Sequence, residues 1–390
     1  MAKSIHKLVA NLLYLFFVSA VCSGAPAKQH QQYFVYIGTY TAQGSESKGI
    51  YAYRFDSETE NLTPVGLVAK TTNPSFLAVH PNRRVLYAVN EVSDYQGQKS
   101  GAVSAFAINR ASGRLTLLNQ VASRGGDPCY ITVDKTGKYV LVANYGGGSV
   151  AVFPIREDGG IAEASSFVQH TGHGTNPERQ ESPHAHSIDM SPDDRFAIVD
   201  DLGLDETLVY PFDSAKGALT AEPVTIAKAV PGAGPRHFAM HPNGKFGYVI
   251  NEMGSTVTVF DYDTATGALK TVQTVSTIPK SFSKLNESAE IEVAPSGRFL
   301  YASNRGHDSI AVFAIDSSSG KVNLVELVST KGASPRNFEI APGGSLLFVE
   351  NEKSDDIVLF HIDRETGQLA PTGKVLEISQ PVCVKFVAID

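Results

Sequence analysis

The chain has 390 residues, of which 42% are hydrophobic and 19% are charged, with a formal net charge of −7. This composition is typical of a globular protein and excludes a disordered or collagen-like chain. No block of Lys or Arg occurs, so nucleic acid is not an expected partner.

The N-terminal residues 1–27 have the pattern of an export signal. Lys3 and Lys7 precede a nearly continuous apolar run over residues 8–21, and Ala25–Ala27 offers small residues for cleavage. The run is short for a membrane span. We therefore expect a periplasmic or secreted protein that has no membrane segment after signal removal. The alternative is a cytoplasmic protein with a disordered N-terminus.

Residues 33–390 repeat a unit of about 50 residues that contains four short predicted strands. The clearest copy passes through a turn at Pro242-Asn243-Gly244-Lys245, a strand at Tyr248-Val249-Ile250-Asn251 and a hairpin turn at Gly267-Ala268-Leu269. Copies begin at Pro74, Pro128, Ala185, Pro235, Ser288 and Pro335. Four-stranded units of this period are typical of the blades of a β-propeller.

The two ends of the chain supply a seventh unit. Tyr36-Ile37-Gly38-Thr39 matches the second strand of a blade that lacks its first strand, whereas residues 381–386 match a first strand and then stop. Joined, they make one blade that closes the ring and removes its open edges. The sequence thus predicts an all-β, seven-bladed β-propeller rather than an open solenoid or two sandwiches. The absence of Trp excludes WD40 repeats.

The repeat also predicts where chemistry is located. In a blade the innermost first strand pairs antiparallel with the second, so the start of one lies beside the end of the other. Both positions then surround the mouth of the central channel. Charged and polar residues occupy them in the later blades: His186, Arg236, His237, Glu252, Glu290, Arg305 and Arg336. This asymmetry favours a site on one side of the mouth, the alternative being structural ion pairs between blades.

A long polar segment, residues 172–186, is predicted to reach the same face. Its density of His, Arg and Glu indicates a binding loop over the mouth, the alternative being a solvated loop. His184 and His186 lack an obvious carboxylate neighbour, and no Cys/His pair has zinc spacing, so we predict no metal and no cofactor. No Gly-x-Ser-x-Gly motif supports a serine hydrolase.

Several of these segments resemble the lactonase family of seven-bladed propellers, which includes 6-phosphogluconolactonases and fungal carboxy-cis,cis-muconate cyclases. They are Arg179-Gln180-Glu181-Ser182-Pro183-His184-Ala185-His186, Gly234-Pro235-Arg236-His237, Asn251-Glu252 and Ser303-Asn304-Arg305-Gly306. The resemblance extends from about Tyr33 to Phe386. It implies hydrolysis of a small-molecule sugar lactone, expected to be anionic, of the 6-phosphogluconolactonase type. Because those enzymes serve cytoplasmic sugar metabolism, the export signal leaves open whether the substrate carries a phosphate.

The resemblance implies a catalytic set of four residues: His186, Glu252, Arg236 and Arg305. His186 or Glu252 is expected to take a proton from water, and the two arginines to hold an anionic group and stabilise developing charge. Expected substrate-binding residues are His184, His237, Glu290, Arg336, Arg179 and Gln180. Two other functions stay open, a muconate-type cycloisomerase and a non-catalytic binding propeller. The oligomeric state is not predicted.

Overall fold

The computed structural model describes residues 31–42 and 44–389, so the predicted signal at residues 1–27 lies outside the described residues. Within this range the chain forms 29 β-strands and no helix. No helix long and apolar enough to cross a membrane is therefore found in the part that the structure describes.

The strands follow one another along the chain with short connections. The first fifteen are β1 (Gln32–Thr39), β2 (Gly49–Asp56), β3 (Leu62–Lys70), β4 (Leu77–Val79), β5 (Val85–Asn90), β6 (Ala102–Ile108), β7 (Leu115–Ala122), β8 (Pro128–Val133), β9 (Tyr139–Asn144), β10 (Ser149–Pro154), β11 (Ser166–Gln169), β12 (Ala185–Met190), β13 (Phe196–Asp201), β14 (Glu206–Asp213) and β15 (Ala218–Leu219). The remaining strands are β16 (Thr225–Lys228), β17 (Pro235–Met240), β18 (Phe246–Asn251), β19 (Thr256–Asp263), β20 (Ala268–Ser276), β21 (Glu287–Val293), β22 (Phe299–Arg305), β23 (Ser309–Ile315), β24 (Val322–Ser329), β25 (Pro335–Ile340), β26 (Leu346–Asn351), β27 (Asp356–Ile362), β28 (Leu369–Glu377) and β29 (Pro381–Ile389).

These strands form seven antiparallel sheets, which are the predicted blades. Blade 1 has the order β29-β1-β2-β3, so strands from both termini share one sheet, as the half-repeats predicted. Blades 2 to 7 begin with β4, β8, β12, β17, β21 and β25 and continue outwards in chain order. Blade 4 differs from the others because β15 and β16 both pair with β14. The innermost strands contact one another around the whole ring, including β29 with β4 and β25. The predicted seven-bladed propeller is confirmed.

Neighbouring blades are joined through the Gly-x-Leu hairpin turns of the repeat. The buried hydroxyl of Tyr301 donates a hydrogen bond to the carbonyl oxygen of Gly367 in the next blade at 2.9 Å. Gly367 has φ 76°, and a Cβ there would lie 2.3 Å from the Phe299 ring. Only glycine therefore allows this turn to lie against the preceding blade. Tyr87 makes the same bond to Gly159.

Six of the seven innermost strands carry a β-bulge where they start at the mouth, β4 being the exception. The pairing register shifts between Ala185 and Ser187, so that His186 is the extra residue in blade 4. Equivalent shifts make Arg236 and Arg336 the extra residues in blades 5 and 7. A bulge redirects a side chain that regular pairing would hold in the sheet. The bulges therefore set the direction of three side chains at the mouth: His186, Arg236 and Arg336.

Candidate active site

A cavity of about 380 Å³ lies at the mouth of the central channel, at the predicted face of the disc. Residues from all seven blades and from the loop 172–186 line it: Tyr40, Glu91, Cys129, Tyr145, Arg179, His186, Glu252, Glu287, Arg305, Arg336 and Glu352. Most of them occupy the first-strand starts or second-strand ends from which the repeat predicted a site. Charged residues line the mouth on both sides, whereas the sequence had favoured a site on one side.

Three guanidinium groups bind the buried carboxylate of Glu252. Arg236 Nε lies 3.0 Å and Arg305 Nη2 lies 2.7 Å from the same oxygen, Oε2. Arg179 donates from Nη2 to the other oxygen, Oε1. Arg179 also donates from Nη1 to Glu287 at 2.7 Å, so the loop is tied to blades 5 and 6. We call Arg179, Glu252, Glu287 and Arg305 the arginine wall.

The charges of the three surrounding arginines decide the ionisation of Glu252. Burial alone would raise the pKa of this carboxyl, but Arg305, Arg236 and Arg179 outweigh burial and lower it to about 2. Glu252 is therefore ionised at neutral pH, with both oxygens engaged by guanidinium donors. A carboxylate in this state is a poor proton acceptor.

His186 lies in the cavity with one ring nitrogen unengaged. Its Nδ1 is 3.7 Å from the sulfur of Cys129, and that thiol donates to the carbonyl oxygen of His186 at 3.3 Å. When the thiol donates to that carbonyl, its sulfur accepts from Nδ1–H, and the lone pair of the ring then lies on Nε2. Among the described residues Nε2 has no hydrogen-bond partner. Burial, together with the charges of Arg236 and other cations, lowers the pKa of His186 well below its usual value, so the ring is neutral at neutral pH.

Arg236 is buried beneath the cavity and does not line it. Its Nη1 donates to the carbonyl oxygen of Ala289 at 2.6 Å and to Nε2 of His237 at 3.2 Å. His237 Nδ1 in turn lies 3.1 Å from both oxygens of Glu290, which also accepts a bond from Asn337. This buried chain fixes the orientation of Arg236 against Glu252.

On the other side of the mouth, Arg336 has a different environment. Its guanidinium carbon lies 5.3 Å from the ring centroid of Tyr40, whose hydroxyl donates to Glu91 at 2.9 and 3.0 Å. Arg336 makes no hydrogen bond or ion pair with any residue that the structure describes. Burial raises the pKa of Glu91, although the charge of Arg336 opposes this shift. We call Tyr40, Glu91, Arg336 and Glu352 the tyrosine wall.

The loop 172–186 is held in shape by Gln180. Its side-chain oxygen accepts hydrogen bonds from the backbone of Thr175 and Asn176, and its amide donates to the carbonyl oxygen of Leu202 at 2.8 Å. The loop ends are held by Asp201, which binds His170 at 2.6 Å and the backbone nitrogen of the loop's His184 at 2.8 Å. The loop therefore presents Arg179 from a fixed backbone.

His184 lies behind the cavity wall. Its ring stacks on Tyr145 with centroids 4.5 Å apart, and Nδ1 is 3.0 Å from the carbonyl oxygen of Tyr145. Tyr145 also contacts His186 edge to face at 5.5 Å. His184 thus supports the side chain that packs against the unengaged histidine.

The structure brings together five of the predicted site residues at the cavity surface: His186, Glu252, Arg305, Arg179 and Arg336. Five others lie behind it and do not line it: Arg236, His237, Glu290, His184 and Gln180. The sequence prediction of the site did not include six lining residues: Tyr40, Glu91, Cys129, Tyr145, Glu287 and Glu352. Four of these follow the end of a second strand, a position that could have identified them. Among residues 31–42 and 44–389, no group of three or more His, Cys, Asp or Glu is arranged to hold a metal ion.

A seven-bladed propeller with a His, Arg and Glu cavity at its mouth is the architecture that the resemblance implied. The family model described as a seven-bladed β-propeller lactonase matches residues 34–386. The chain belongs to this lactonase family, which confirms the predicted family and supports a lactone-hydrolysing enzyme.

Individual relatives agree with this assignment. A 6-phosphogluconolactonase of Bacillus subtilis is 40% identical over 355 residues, which cover 91% of this chain and 98% of the relative. A 6-phosphogluconolactonase of Formosa agariphila is 36% identical over 78% of this chain and 84% of its own length. The solved structure of the periplasmic gluconolactonase of Pseudomonas aeruginosa has a TM-score of 0.85 and 34% identity, covering 92% of this chain and 100% of that one.

Proposed function

We propose that this protein hydrolyses a sugar lactone in a reaction of the 6-phosphogluconolactonase type, from 6-phospho-D-glucono-1,5-lactone to 6-phosphogluconate. The family and the relatives named 6-phosphogluconolactonase support this reaction. The observation that carries it is the neutral ring of His186, whose unengaged Nε2 lies in a cavity rich in guanidinium groups.

His186 is the general base in this proposal. Of the two candidates from the sequence, Glu252 has a pKa of about 2 and both of its oxygens accept bonds from arginines. A base must be unprotonated and within reach of the water it activates. His186 meets the first condition at neutral pH and presents a free lone pair to the cavity, which supports the second.

The reaction is a single addition of water. Water attacks the C1 carbonyl carbon as its proton passes to Nε2 of His186, and the carbonyl oxygen becomes an oxyanion. The bond between C1 and the ring oxygen then breaks, and the ring oxygen takes the proton from the imidazolium to become a hydroxyl. The new carboxylic acid ionises and releases one proton. Cationic donors around the cavity stabilise the oxyanion, because preorganised donors are most effective where solvent is excluded.

Glu252 has a positioning role in this scheme. Three guanidinium groups at such short separation repel one another, and their shared carboxylate offsets this repulsion. Glu252 thereby fixes Arg179 and Arg305 at the cavity surface, and Arg236 transmits the orientation set by the buried His237.

The test is a substrate panel with purified protein and product analysis. The panel contains 6-phospho-D-glucono-1,5-lactone, unphosphorylated aldonolactones and a carboxymuconate, with spontaneous hydrolysis subtracted. Turnover of a sugar lactone is expected. Cyclisation of the muconate alone would identify a cycloisomerase, and no turnover with tight binding of another ligand would identify a binding propeller. Either result contradicts the proposal.

Export is a further part of the proposal. The N-terminal pattern supports it, and one relative by structure is named a periplasmic enzyme. The full-length chain with a C-terminal tag is fractionated, and the mature protein is weighed by mass spectrometry. Loss of residues 1–27 with recovery outside the cytoplasm is expected. Uncleaved protein in the cytoplasm would contradict export without affecting the proposed reaction.

A further inference from the structure

The arginines around the mouth differ in what they already bind. Arg236 and Arg305 share Oε2 of Glu252, and Arg179 spans Glu252 and Glu287. Each of these three guanidinium groups has a carboxylate partner within the protein. Arg336 lines the same cavity and makes no hydrogen bond or ion pair within 4 Å with any described residue, although the charges of Glu91 and Glu352 act on it from the same wall.

The geometry points to Arg336 as the residue that binds the reacting carbonyl oxygen of the substrate and then the carboxylate of the product. This inference rests on the proposed function. It moves the anion-binding role away from Arg236 and Arg305, to which the family resemblance assigns it, and onto the guanidinium whose donors are unused.

The shape of the tyrosine wall supports this role. Arg336 lies over the face of the Tyr40 ring, and the Tyr40 hydroxyl is engaged by Glu91. An aromatic face holds a guanidinium by cation–π attraction without occupying its N–H donors. Arg336 is therefore positioned in advance, with its fork of donors free for the bidentate geometry that a carboxylate offers.

The position of Arg336 in the ring fits the reaction. Arg336 and His186 are the bulge residues at equivalent starts of β25 and β12, in blades 7 and 4. These blades are three places apart in a ring of seven, so the two side chains enter one small cavity from opposite sides. A lactone between them receives water from the side of His186, while its carbonyl oxygen faces Arg336.

A phosphate is the competing ligand for the same guanidinium. A phosphate at C6 lies at the other end of the sugar from C1, so the two assignments predict different probes. D-gluconate carries only the carboxylate, and D-glucose 6-phosphate carries only the phosphate. Binding of each probe is measured by calorimetry on the wild-type protein and on Arg336→Met, Arg336→Lys and Arg305→Met.

Arg336→Met is expected to weaken D-gluconate binding by roughly 30-fold, as expected for loss of a charge-assisted pair. Binding of D-glucose 6-phosphate is expected to change by less than about 3-fold, because that probe lacks the carboxylate. Arg336→Lys keeps the charge and loses the fork, so its affinity for D-gluconate is expected to lie in between. The exposed Arg84, in an outer groove between blades 2 and 3, provides the matched control Arg84→Met.

Four results would overturn the inference. Three of them are unchanged D-gluconate affinity in folded Arg336→Met, a loss confined to D-glucose 6-phosphate, and no binding of D-gluconate by the wild-type protein. The fourth is a larger loss of D-gluconate affinity in Arg305→Met, which would return the role to the arginine wall. Because binding is measured without turnover, failure of the proposed hydrolysis is detected separately, in the lactone panel.

Discussion

Two groups of carboxyls lie around the central channel, and their pKa values shift in opposite directions. At the mouth, three arginines keep the pKa of Glu252, which follows β18, at about 2. Deeper in the channel lie Asp189 on β12, Glu292 on β21, Glu339 on β25 and Glu350 on β26, with Lys385 on β29. Burial raises the pKa of all four channel carboxyls, and that of Asp189 reaches about 8.

The difference shows that the supply of cations, rather than burial, separates the two regions. Burial disfavours the charged form in both places. At the mouth the guanidinium charges exceed that penalty, whereas in the channel the charge of Lys385, which pairs with Glu339, is too small to offset burial of the other carboxyls. Both oxygens of Glu350 lack a hydrogen-bond partner among the described residues. We conclude that the arginine charges favour the ionised carboxyl at the mouth, whereas burial favours the protonated form of the channel carboxyls.

The largest expected effect is on catalysis at the mouth. His186→Gln keeps a polar side chain of similar size and removes the proton acceptor, so kcat/KM for the lactone is expected to fall by roughly 10²- to 10³-fold. Steady-state kinetics with subtraction of spontaneous hydrolysis measure the loss. His361→Gln, at an exposed residue of β27, is the matched control and should retain full activity. Activity of His186→Gln within about 3-fold of the wild type would exclude the base assignment.

A pair of identical substitutions compares the stability of the two regions. Glu252→Gln removes the anion shared by three guanidinium groups and is expected to cost about 3 kcal/mol, because it leaves buried charges uncompensated. Glu350→Gln resembles the protonated acid and is expected to change stability by less than about 1 kcal/mol at pH 7. Urea unfolding monitored by circular dichroism measures both. Equal costs would contradict the distinction between mouth and channel.

The pH dependence of stability is expected to have opposite signs in the two regions. The folded pKa of Asp189, about 8, lies above its unfolded value of about 4, so its contribution is complete below pH ~4 and is lost as pH rises through 8. For Glu252 the folded pKa is lowered, so its contribution is present above pH ~4 and is lost as pH falls towards 2.

Thermal unfolding between pH 6 and pH 9 tests the channel. The Tm of the wild-type protein is expected to fall over this range, and Asp189→Asn is expected to reduce the slope. The slope that remains comes from the other carboxyls whose pKa burial raises, among them Asp200, with a pKa of about 7, and Glu350. Identical slopes in both proteins would show that Asp189 already loses its proton at lower pH.

The smallest expected effect comes from the loop over the mouth. Gln180→Ala removes the bonds that shape residues 172–186, so Arg179 is expected to be held less firmly and KM to rise by roughly 3- to 10-fold. Limited proteolysis within the loop should accelerate in parallel. Gln120→Ala, which removes hydrogen bonds to Asn90 and Ser104 in blade 2, should leave KM unchanged. If proteolysis of Gln180→Ala accelerates while KM stays unchanged, the loop does not contribute to substrate binding and the prediction is wrong.

The fold was predictable because the repeat itself specifies it. Turn residues such as Gly367 recur where a hairpin must approach the preceding blade, and each copy marks its own strands. The half-repeats at the ends then required a shared blade, which β1 and β29 form. The split of β15 and β16 in blade 4 was not predictable, because no copy of the repeat indicates it.

The site was predictable in position and only partly in detail. The position of His186 and Glu252 within the repeat predicted that both lie at the mouth. Arg236 and Arg336 occupy equivalent bulges, but the residues around them differ. One lies under Glu252, and the other lies over the ring of Tyr40. Those partners come from other blades, so no local pattern distinguishes the two arginines. The inward turn of Gln180 likewise depends on backbone geometry within its own loop.

The shared blade has a consequence for how the molecule assembles. Because Gln32 pairs with Ile389, the two ends of the described chain lie side by side. Six blades can form during synthesis, but the ring stays open until β29 inserts between β1 and the channel, where it also brings Lys385 to Glu339. A circular permutant that joins these ends and opens a surface hairpin would place the closing step at another blade. The order of folding could then be altered while every contact around the mouth is preserved.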